Sequence, residues 1–199
     1  MANVRDCIYG QAVGDALGVP FEFRERDTFE CTRMAGFGTH GQPAGTWSDD
    51  TSMALAICDS YREVGHIDTD DIRAVSAITH AHPTSTEACV RMVHVAKALI
   101  DGMSVSEAVA MGGVDAGKPR GSISSGGYVL HTYEAALWCL ANTSSYAECV
   151  LAAVNLGDDT DTTAAVAGAL AGIVYGFDGI PGCWVDALKG KDVVEACLP

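Results

Sequence analysis

Two short acidic segments contain the residues of this sequence that are best suited to chemistry. The segment "NLGDDTDTT" carries Asp158, Asp159 and Asp161 and leads into a long apolar stretch. The segment "GTWSDDTSM" places Asp49 and Asp50 before a second apolar stretch. One carboxylate at the start of a helix caps free N–H groups and meets the positive end of the helix dipole. Because additional carboxylates repel one another, the clusters predict a bound cation.

The ligand types in both segments favour a hard divalent cation. Carboxylate and hydroxyl oxygens converge if the two helix starts face each other, and Mg²⁺ and Mn²⁺ prefer such oxygen sites. Neither segment contains histidine or cysteine, which are typical of zinc sites. The number of acids fits two ions better than one. The residues leave one alternative open, in which the acids only cap the helices and the remaining charge is solvated.

The composition excludes several classes of protein. Acidic residues outnumber basic ones, 26 to 12, and the formal charge of −14 argues against general binding of nucleic acid. Hydrophobic residues make up 48% of the 199 residues, too many for a disordered chain. The eight cysteines form no C-x-x-C pair and are expected to be buried, reduced thiols. Neither a secretory signal nor a membrane span is recognisable, so we expect a cytoplasmic protein with no membrane partner.

Helical periodicity accounts for the regular elements that the sequence predicts, and no confident strand pattern appears. The predicted helices are 3–18, 50–64, about 70–79, 84–102, 104–112, 128–142, 145–157 and 162–176. Two of them open with a predicted capping box, Thr84 with Glu87 and Ser104 with Glu107. We therefore predict an all-α fold with a single domain over residues 1–199.

Small residues recur once per turn on two of these helices. They are Gly10, Gly14 and Gly18 on the first and Ala164, Gly168 and Gly172 on the last. The last three form a smooth seam that lets another helix approach closely. Asp15 lies in the first helix, and because a buried unpaired charge is costly it is expected to cap or bond a neighbouring loop. Glu22 follows in an irregular stretch and is free to reach the acidic clusters.

Three other residues have two interpretations each. Lys118 and Arg120 are the basic pair of the loop 112–127, where they either meet a diphosphate or stay solvated, and solvation is favoured. Trp47 precedes Ser48 and either packs against the acidic loop or stacks on a base.

Four segments, in one order along most of the chain, carry a family resemblance. They are "GQAVGDALGVPFEF" (10–23), "GTWSDDTSMALAICDS" (45–60), "SAITHAHPTSTEAC" (76–89) and "SSGGYVLHTYEAALWCL…AAVNLGDDTDTTAAVAGALAGIVYG" (124–176). They resemble the ADP-ribosylglycohydrolase family, which includes dinitrogenase-reductase-activating glycohydrolases and ADP-ribosyl-acceptor hydrolases. The pairing of W-S-D-D-T with G-D-D-T-D-T-T is the most specific part of this resemblance.

The resemblance implies an orthogonal all-α bundle with a site for two Mg²⁺ or Mn²⁺ ions at one end. The metal ligands that it implies are Ser48, Asp49, Asp50, Asp159, Asp161 and Thr162. Asp158 stands where the family often has glycine, so it is left out of the ligands and assigned to capping. Glu22 matches an acidic residue on a mobile loop that approaches the metals. The substrate-binding positions that it implies are His80, Ser124, Ser125, Gly126, Gly127 and Tyr128.

The reaction that the resemblance implies is hydrolysis at the anomeric carbon of an ADP-ribosyl group. The expected partner is an ADP-ribosylated protein, nucleic acid or small molecule, or ADP-ribose itself. Cleavage builds positive charge at that carbon, which nearby carboxylates stabilise, while metals hold ribose hydroxyls and activate water. Asp49, Asp50 and Glu22 are the candidate catalytic residues, and the sequence does not choose among them.

One segment of the family pattern is absent. Family members usually carry a "GNGxxMR"-type segment between the S-D-D-T helix and the T-H-x-H-P motif, where this chain has only "YREVGHIDTDDIRAV". Several dozen residues are missing by this comparison. Three interpretations remain: a minimal enzyme with a more open site, a catalytically impaired protein that binds ADP-ribose or a nucleotide, and an oligomer whose partner subunit completes the cleft.

Two unrelated classes are weaker alternatives. Asp159, Asp161 and Thr163 fit the D-x-D-x-T motif of haloacid-dehalogenase-type phosphatases, but that motif follows a buried strand and the preceding segment here predicts a helix. A structural, crystallin-like protein is the other alternative.

Overall fold

The computed structural model describes residues 4–199, and over that range the regular structure is entirely helical. Its α-helices are α1 (Val4–Gly18), α2 (Asp49–Val64), α3 (Thr69–Thr79), α4 (Pro83–Ile100), α5 (Val105–Met111), α6 (Val129–Ala141), α7 (Tyr146–Val154), α8 (Thr160–Tyr175), α9 (Gly182–Ala187) and α10 (Lys191–Cys197). The all-α prediction is confirmed, although α9 and α10 were not predicted. Residue 3 of the predicted first helix lies outside the described residues, and the single domain stays a prediction. No helix of residues 4–199 is long and apolar enough to cross a membrane.

The helix starts follow capping chemistry, with one correction. Ser104 and Glu107 form the predicted capping box of α5, in which the Glu107 N–H donates to Ser104 Oγ at 3.4 Å and the Ser104 N–H donates to the carboxylate at 3.2 Å. The predicted box at Thr84 is wrong, because α4 begins at Pro83 and His82 Nδ1 accepts the Thr84 N–H at 3.2 Å. Proline's fixed φ suits the first helical position, which moves the helix start to Pro83.

Helices α1 and α8 form the most extensive contact of the fold, along the seam of small residues. A Cβ added at Gly14 would lie 2.1 Å from the Ala164 carbonyl oxygen, and one at Gly10 would lie 2.2 Å from that of Gly168. In the other direction, a Cβ at Gly168 would lie 2.2 Å from the Gly10 carbonyl oxygen. Because backbone lies against backbone, only glycine fits at these positions. The close approach predicted for the last helix is therefore present, and its partner is α1.

The core lies where α6 and α7 pack against α8. Its largest fully buried side chains include Tyr146, Leu17, Leu137, Leu140, Leu156 and Leu170. The Tyr146 hydroxyl donates to the Gly10 carbonyl oxygen at 2.7 Å, which ties α7 to α1. All eight cysteines are free thiols; four are buried, and Cys183 is exposed. The segment before Asp159 contains the helix α7. The phosphatase alternative requires a buried strand there, and this described segment contains none.

Helices α2, α3 and α4 form a more open side of the bundle. Helix α3 packs on α4, but none of its residues is buried. Several large apolar side chains on this side are in contact with water, and Ile78 is 79% exposed. A cluster of such residues is unusual on the surface of a soluble monomer.

Candidate active site

Three parts of the chain bring acidic side chains together: the loop after α1, the start of α2 and the start of α8. Carboxylate oxygens of Glu22, Asp159 and Asp161 lie within 4.8 Å of one another. The close passage of α1 contributes to this arrangement, because a Cβ at Gly18 would lie 2.4 Å from Asp161 Cα. The loop that carries Glu22 therefore leaves α1 directly beside the start of α8.

Asp50 connects the two acidic segments. Its Oδ2 accepts a hydrogen bond from Thr162 Oγ1 at 3.1 Å and another from Ser48 Oγ at 3.3 Å. Ser48 is the residue before α2, and its hydroxyl oxygen also accepts the Asp50 N–H at 3.3 Å. These three residues thus form one hydrogen-bonded group. Asp49 is exposed and lines the large cleft in which this group lies.

Asp15 is fully buried and holds the start of α2 in place. Its two carboxylate oxygens accept the Ser48 N–H at 2.9 and 3.0 Å. Its Oδ2 also accepts the Thr51 N–H at 3.1 Å and the Thr51 hydroxyl at 2.5 Å. Burial raises the pKa of the Asp15 carboxyl, and these hydrogen bonds oppose the rise. Asp15 therefore has the expected structural role of bonding a neighbouring loop.

Backbone hydrogen bonds hold Glu22 beside the start of α8. The Phe23 N–H donates to the Asp158 carbonyl oxygen at 2.7 Å, and the Asp158 N–H donates to the Arg24 carbonyl oxygen at 2.9 Å. Phe23 and Asp158 have φ values of 64° and 60°, a region that L-residues seldom adopt. His40 Nε2 contacts the Glu22 carboxylate. The strained backbone pair and the histidine together fix the position of Glu22.

The capping role assigned to Asp158 is wrong. The residue before α8 is Asp159, and no side chain makes a capping hydrogen bond at that helix start. Asp158 belongs to the strained turn that joins the Glu22 loop, so its backbone, rather than its side chain, supports the site.

Asp161 has the electrostatic environment of a cation ligand. It is 5% exposed, and its Oδ1 is buried with no hydrogen-bond partner. Burial, followed by the charge of Glu22, raises the pKa of Asp161 to about 8. Burial, followed by the charge of Asp15, raises the pKa of Asp50 to about 7. A divalent cation would supply the missing partner and offset the repulsion, and the all-oxygen donor set fits Mg²⁺ or Mn²⁺.

Without divalent ions, the stability of the protein should fall as the pH rises from about 4 to about 8. The pKa values of Asp50 and Asp161 are about 7 and about 8 in the folded protein, above the ordinary value of 3.8. The folded protein therefore keeps protons that the unfolded chain has released. The stabilisation that these protons give is lost as the pH rises through the pKa values of the folded protein. Because metal binds deprotonated carboxylates, Mg²⁺ should raise the melting temperature more at about pH 8 than at about pH 5. Thermal melts with and without MgCl₂ measure both effects; a metal-free melting temperature that does not change with pH would contradict this.

The acidic group lies in a cleft of about 2200 Å³. The residues Gly126, Gly127, Tyr128 and His80 line this cleft, and their contact with a substrate stays a prediction. Gly127 faces the acidic group, since a Cβ there would lie 3.4 Å from Asp159 Oδ2. The backbone of this loop is therefore within reach of a ligand held at the carboxylates.

The structure places Ser124 and Ser125 away from the cleft surface, unlike the rest of the predicted loop. Ser125 is buried, and its hydroxyl donates to the Leu156 carbonyl oxygen at 3.0 Å. Its own carbonyl oxygen accepts the Asp159 N–H at 3.0 Å. The hydroxyl turns inward because it pairs with a buried carbonyl, so Ser125 positions the start of α8 and does not face the cleft. Ser124 is exposed outside the cleft.

Arg26 supports the site, although sequence reasoning did not single it out. Its guanidinium donates to the Leu156 carbonyl oxygen at 2.7 Å, to that of Arg120 at 2.9 Å and to that of Ile123. These bonds join the loop before α8 to the loop before α6. An arginine in an irregular stretch carries no local signal for this role, since its partners are distant in sequence.

The structure shows partners for the three residues that the sequence left with two interpretations, which are Lys118, Arg120 and Trp47. Lys118 pairs with a glutamate of α6, Arg120 pairs with Asp27 at 2.8 Å, and neither basic residue lines the cleft. The Trp47 indole N–H donates to the Lys189 carbonyl oxygen at 2.9 Å, which packs the loop before α2 against the segment before α10. A role for these two basic residues in binding a diphosphate is therefore not supported.

The sequence pattern of a known family covers nearly the whole chain. The family model described as ADP-ribosylglycohydrolase matches residues 1–75 and 69–198. This chain belongs to the ADP-ribosylglycohydrolase family. The resemblance identified from the motifs is thereby confirmed.

Relatives of this chain support the same assignment. It is 28% identical to the ADP-ribosylarginine hydrolase Tri1 of Serratia proteamaculans (strain 568), over 97% of this chain and 77% of that protein. It is 32% identical to the ADP-ribosyl-dinitrogen reductase glycohydrolase of Rhodospirillum rubrum, over 92% of this chain and 88% of that protein. A solved structure titled "ADP-ribosylglycohydrolase-related protein complex" superposes with a TM-score of 0.80 at 27% identity, covering 97% of this chain and 94% of that chain. The predicted fold and the predicted class of enzyme are confirmed.

The ADP-ribosylglycohydrolase pattern is interrupted at the start of α3. The two matched stretches meet at residues 69–75. The alignment with the Serratia relative runs over 281 residues, although this chain has 199. The alignment therefore includes many residues of that relative with no counterpart here. The break in the family match lies in the region where the motifs indicated a missing segment.

Proposed function

We propose that this protein hydrolyses the N-glycosidic bond between ADP-ribose and an arginine side chain, with two divalent cations as cofactors. The observation that carries the proposal is the convergence of Glu22, Asp159 and Asp161 within 4.8 Å in a large cleft. Family membership supports glycohydrolysis of ADP-ribosyl groups, and arginine is the acceptor named for the Serratia relative.

The proposed metal ligands come from the starts of two helices. They are Ser48, Asp49 and Asp50 at α2 and Asp159, Asp161 and Thr162 at α8. Bound there, Mg²⁺ or Mn²⁺ would hold the ribose hydroxyls and make a water molecule more acidic. The unpartnered Asp161 Oδ1 and the raised pKa values of Asp50 and Asp161 support this assignment, because each favours a cation beside the carboxylate.

The residues of the chain have separate tasks in the proposed reaction. The carboxylates stabilise the positive charge that develops at the anomeric carbon while the bond breaks. We assign the proton transfer to Glu22, because its carboxylate faces Asp159 and Asp161. Asp50 is less suited, since its Oδ2 already accepts two hydroxyl hydrogen bonds. The Gly127 backbone lies against Asp159, where it can position the ribose.

The charge of the cleft supports a cationic acceptor. Among residues 4–199, no lysine or arginine lines it, whereas the acidic residues that do are Glu22, Asp49, Asp50, Asp71, Asp158, Asp159 and Asp161. A guanidinium is cationic and is attracted by this charge, while the hydroxyl of a serine acceptor gains no such attraction. We therefore propose arginine in preference to serine.

The proposal is tested by the release of ADP-ribose. The purified protein is incubated with ADP-ribosylarginine or ADP-ribosylserine, with Mg²⁺, with Mn²⁺ or with EDTA, and free ADP-ribose is measured by chromatography. We expect metal-dependent release from ADP-ribosylarginine and release from ADP-ribosylserine that is at least about tenfold slower. Absence of release from both substrates with either metal would refute the proposed function.

A second candidate function is binding of ADP-ribose without hydrolysis. The break in the family match at residues 69–75 favours it, together with the many residues of the Serratia relative that have no counterpart in this chain. Calorimetric binding of ADP-ribose, by a protein that releases none from any ADP-ribosylated substrate, would establish this function instead.

A further inference from the structure

The cleft that holds the carboxylates continues as an apolar groove over α2, α3 and α4. The groove is defined by side chains that line the cleft and are 38–79% exposed: Met53, Tyr61, Val64, Ile67, Ile78 and Val93. Helix α2 begins at the acidic group, and its 16 residues carry the groove about 20 Å away from it. That length accommodates about six residues of extended polypeptide.

The groove lies beside the point at which the family match is divided. That point lies at residues 69–75, in the first turns of α3, and α3 has no buried residue. The alignment with the Serratia relative includes many residues that have no counterpart in this chain. An isoleucine that is 79% exposed, as Ile78 is, gains from any apolar partner. The groove is therefore an exposed apolar surface, and a partner that buries it would be stabilised by the contact.

The charge of the cleft restricts what can lie in the groove. The groove opens into the same cleft as the acidic residues, and among residues 4–199 no lysine or arginine lines that cleft. A partner with both apolar and basic side chains would gain from both features. A second copy of this chain is a poor partner, because it carries the same formal charge of −14.

We propose that the apolar groove binds the ADP-ribosylated protein substrate itself, through a segment with apolar and basic side chains next to the modified arginine. The inference rests on the proposed function and adds that the protein recognises the polypeptide segment around the modified arginine. Continuity between the groove and the acidic group supports it, because a segment lying along α2 would deliver its arginine to the carboxylates. Charge complementarity supports it independently.

The test compares three ADP-ribosylarginine substrates. One is a basic-apolar peptide with leucine and lysine on both sides of the modified arginine. The second is an acidic-polar peptide with serine and glutamate at those positions, and the third is free ADP-ribosylarginine. We expect kcat/KM for the basic-apolar peptide to exceed that for the acidic-polar peptide at least about tenfold, mainly through KM. Equal kcat/KM values for the three substrates would overturn the inference.

Two matched variants locate the effect on the protein. Ile78→Asn changes the groove, and Ile100→Asn changes an isoleucine that is 50% exposed, does not line the cleft and also lies at the end of a helix. Ile78→Asn should raise KM for the basic-apolar peptide about fivefold or more and leave free ADP-ribosylarginine unaffected. Ile100→Asn should change neither. A parallel loss on all three substrates in Ile78→Asn would show a structural effect and contradict the inference.

Binding of the unmodified peptides separates this inference from the proposed function. Fluorescence anisotropy should show the basic-apolar peptide binding to the wild-type protein and binding more weakly to Ile78→Asn, even if no substrate is hydrolysed. Release of ADP-ribose by a protein that binds the basic-apolar and acidic-polar peptides equally well would leave the proposed function intact. It would refute binding of the substrate in the groove. A dimer in sedimentation that Ile78→Asn dissociates would assign the groove to a second copy and refute the inference as well.

Discussion

Replacement of Asp161 by asparagine is expected to reduce metal-dependent release of ADP-ribose by at least about a thousandfold. The amide keeps the size of the side chain but removes the negative charge that a divalent cation requires. Asp161 is buried, and its unpartnered Oδ1 lies in the group formed with Glu22 and Asp159. Steady-state kinetics and calorimetry with Mn²⁺ measure the loss of activity and of metal binding.

The same variant should be more stable than the wild type when metal is absent. Burial and neighbouring acids raise the pKa of Asp161 to about 8, so above about pH 8 the folded protein holds a costly charge that asparagine removes. Asp158→Asn is the matched control, because asparagine tolerates the φ of 60° at this exposed position. It should keep activity within about threefold. If Asp161→Asn kept more than about a tenth of the wild-type activity, Asp161 would not be a metal ligand.

Replacement of Gly14 by alanine is expected to destabilise the protein by about 3 kcal/mol or more, or to prevent folding. The new Cβ would lie 2.1 Å from the Ala164 carbonyl oxygen and 2.8 Å from the carbonyl carbon. Both atoms belong to the α8 backbone, so no side-chain rotation can relieve the contact and the helices must separate. Urea denaturation followed by circular dichroism measures the change in the free energy of unfolding.

Gly182→Ala is the matched control for this substitution. Gly182 is the first residue of α9, its φ is not positive, and an added Cβ would meet no atom within 4 Å. Alanine favours helix more than glycine, so this variant should be neutral or more stable by up to about 1 kcal/mol. Equal loss of stability in both variants would show that general sensitivity to alanine, and not the seam, explains the effect at Gly14.

The features that sequence reasoning predicted are those with a local signature. The seam follows from small residues spaced one turn apart, and the two acidic segments are recognisable because repelling carboxylates precede apolar helices. The irregular stretch after α1 left Glu22 free to reach the acidic clusters, and the family resemblance implied that it approaches the metals. In the structure its carboxylate joins those of Asp159 and Asp161.

The features that were missed depend on contacts between residues distant in sequence. Arg26 hydrogen-bonds to the Leu156 carbonyl oxygen, 130 residues away, and no local pattern announces that bond. The inward orientation of Ser125 depends on the same carbonyl oxygen. The sequence also could not show that Asp15 would accept hydrogen bonds from Ser48 and Thr51, because only the packing of α1 against α2 brings them together.

The pairing of α1 with α8 also has a consequence for the order of folding. The Thr160 hydroxyl donates to the Gly18 carbonyl oxygen at 2.8 Å across a separation of 142 residues. Contacts of such long range form slowly, because the loop that they close costs entropy before it is stabilised. During synthesis, α1 and the acidic start of α2 leave the ribosome long before α8 exists. The group of Glu22, Asp159 and Asp161 therefore assembles only after α8 has been made, and the proposed cation site is incomplete in the newly made chain until then.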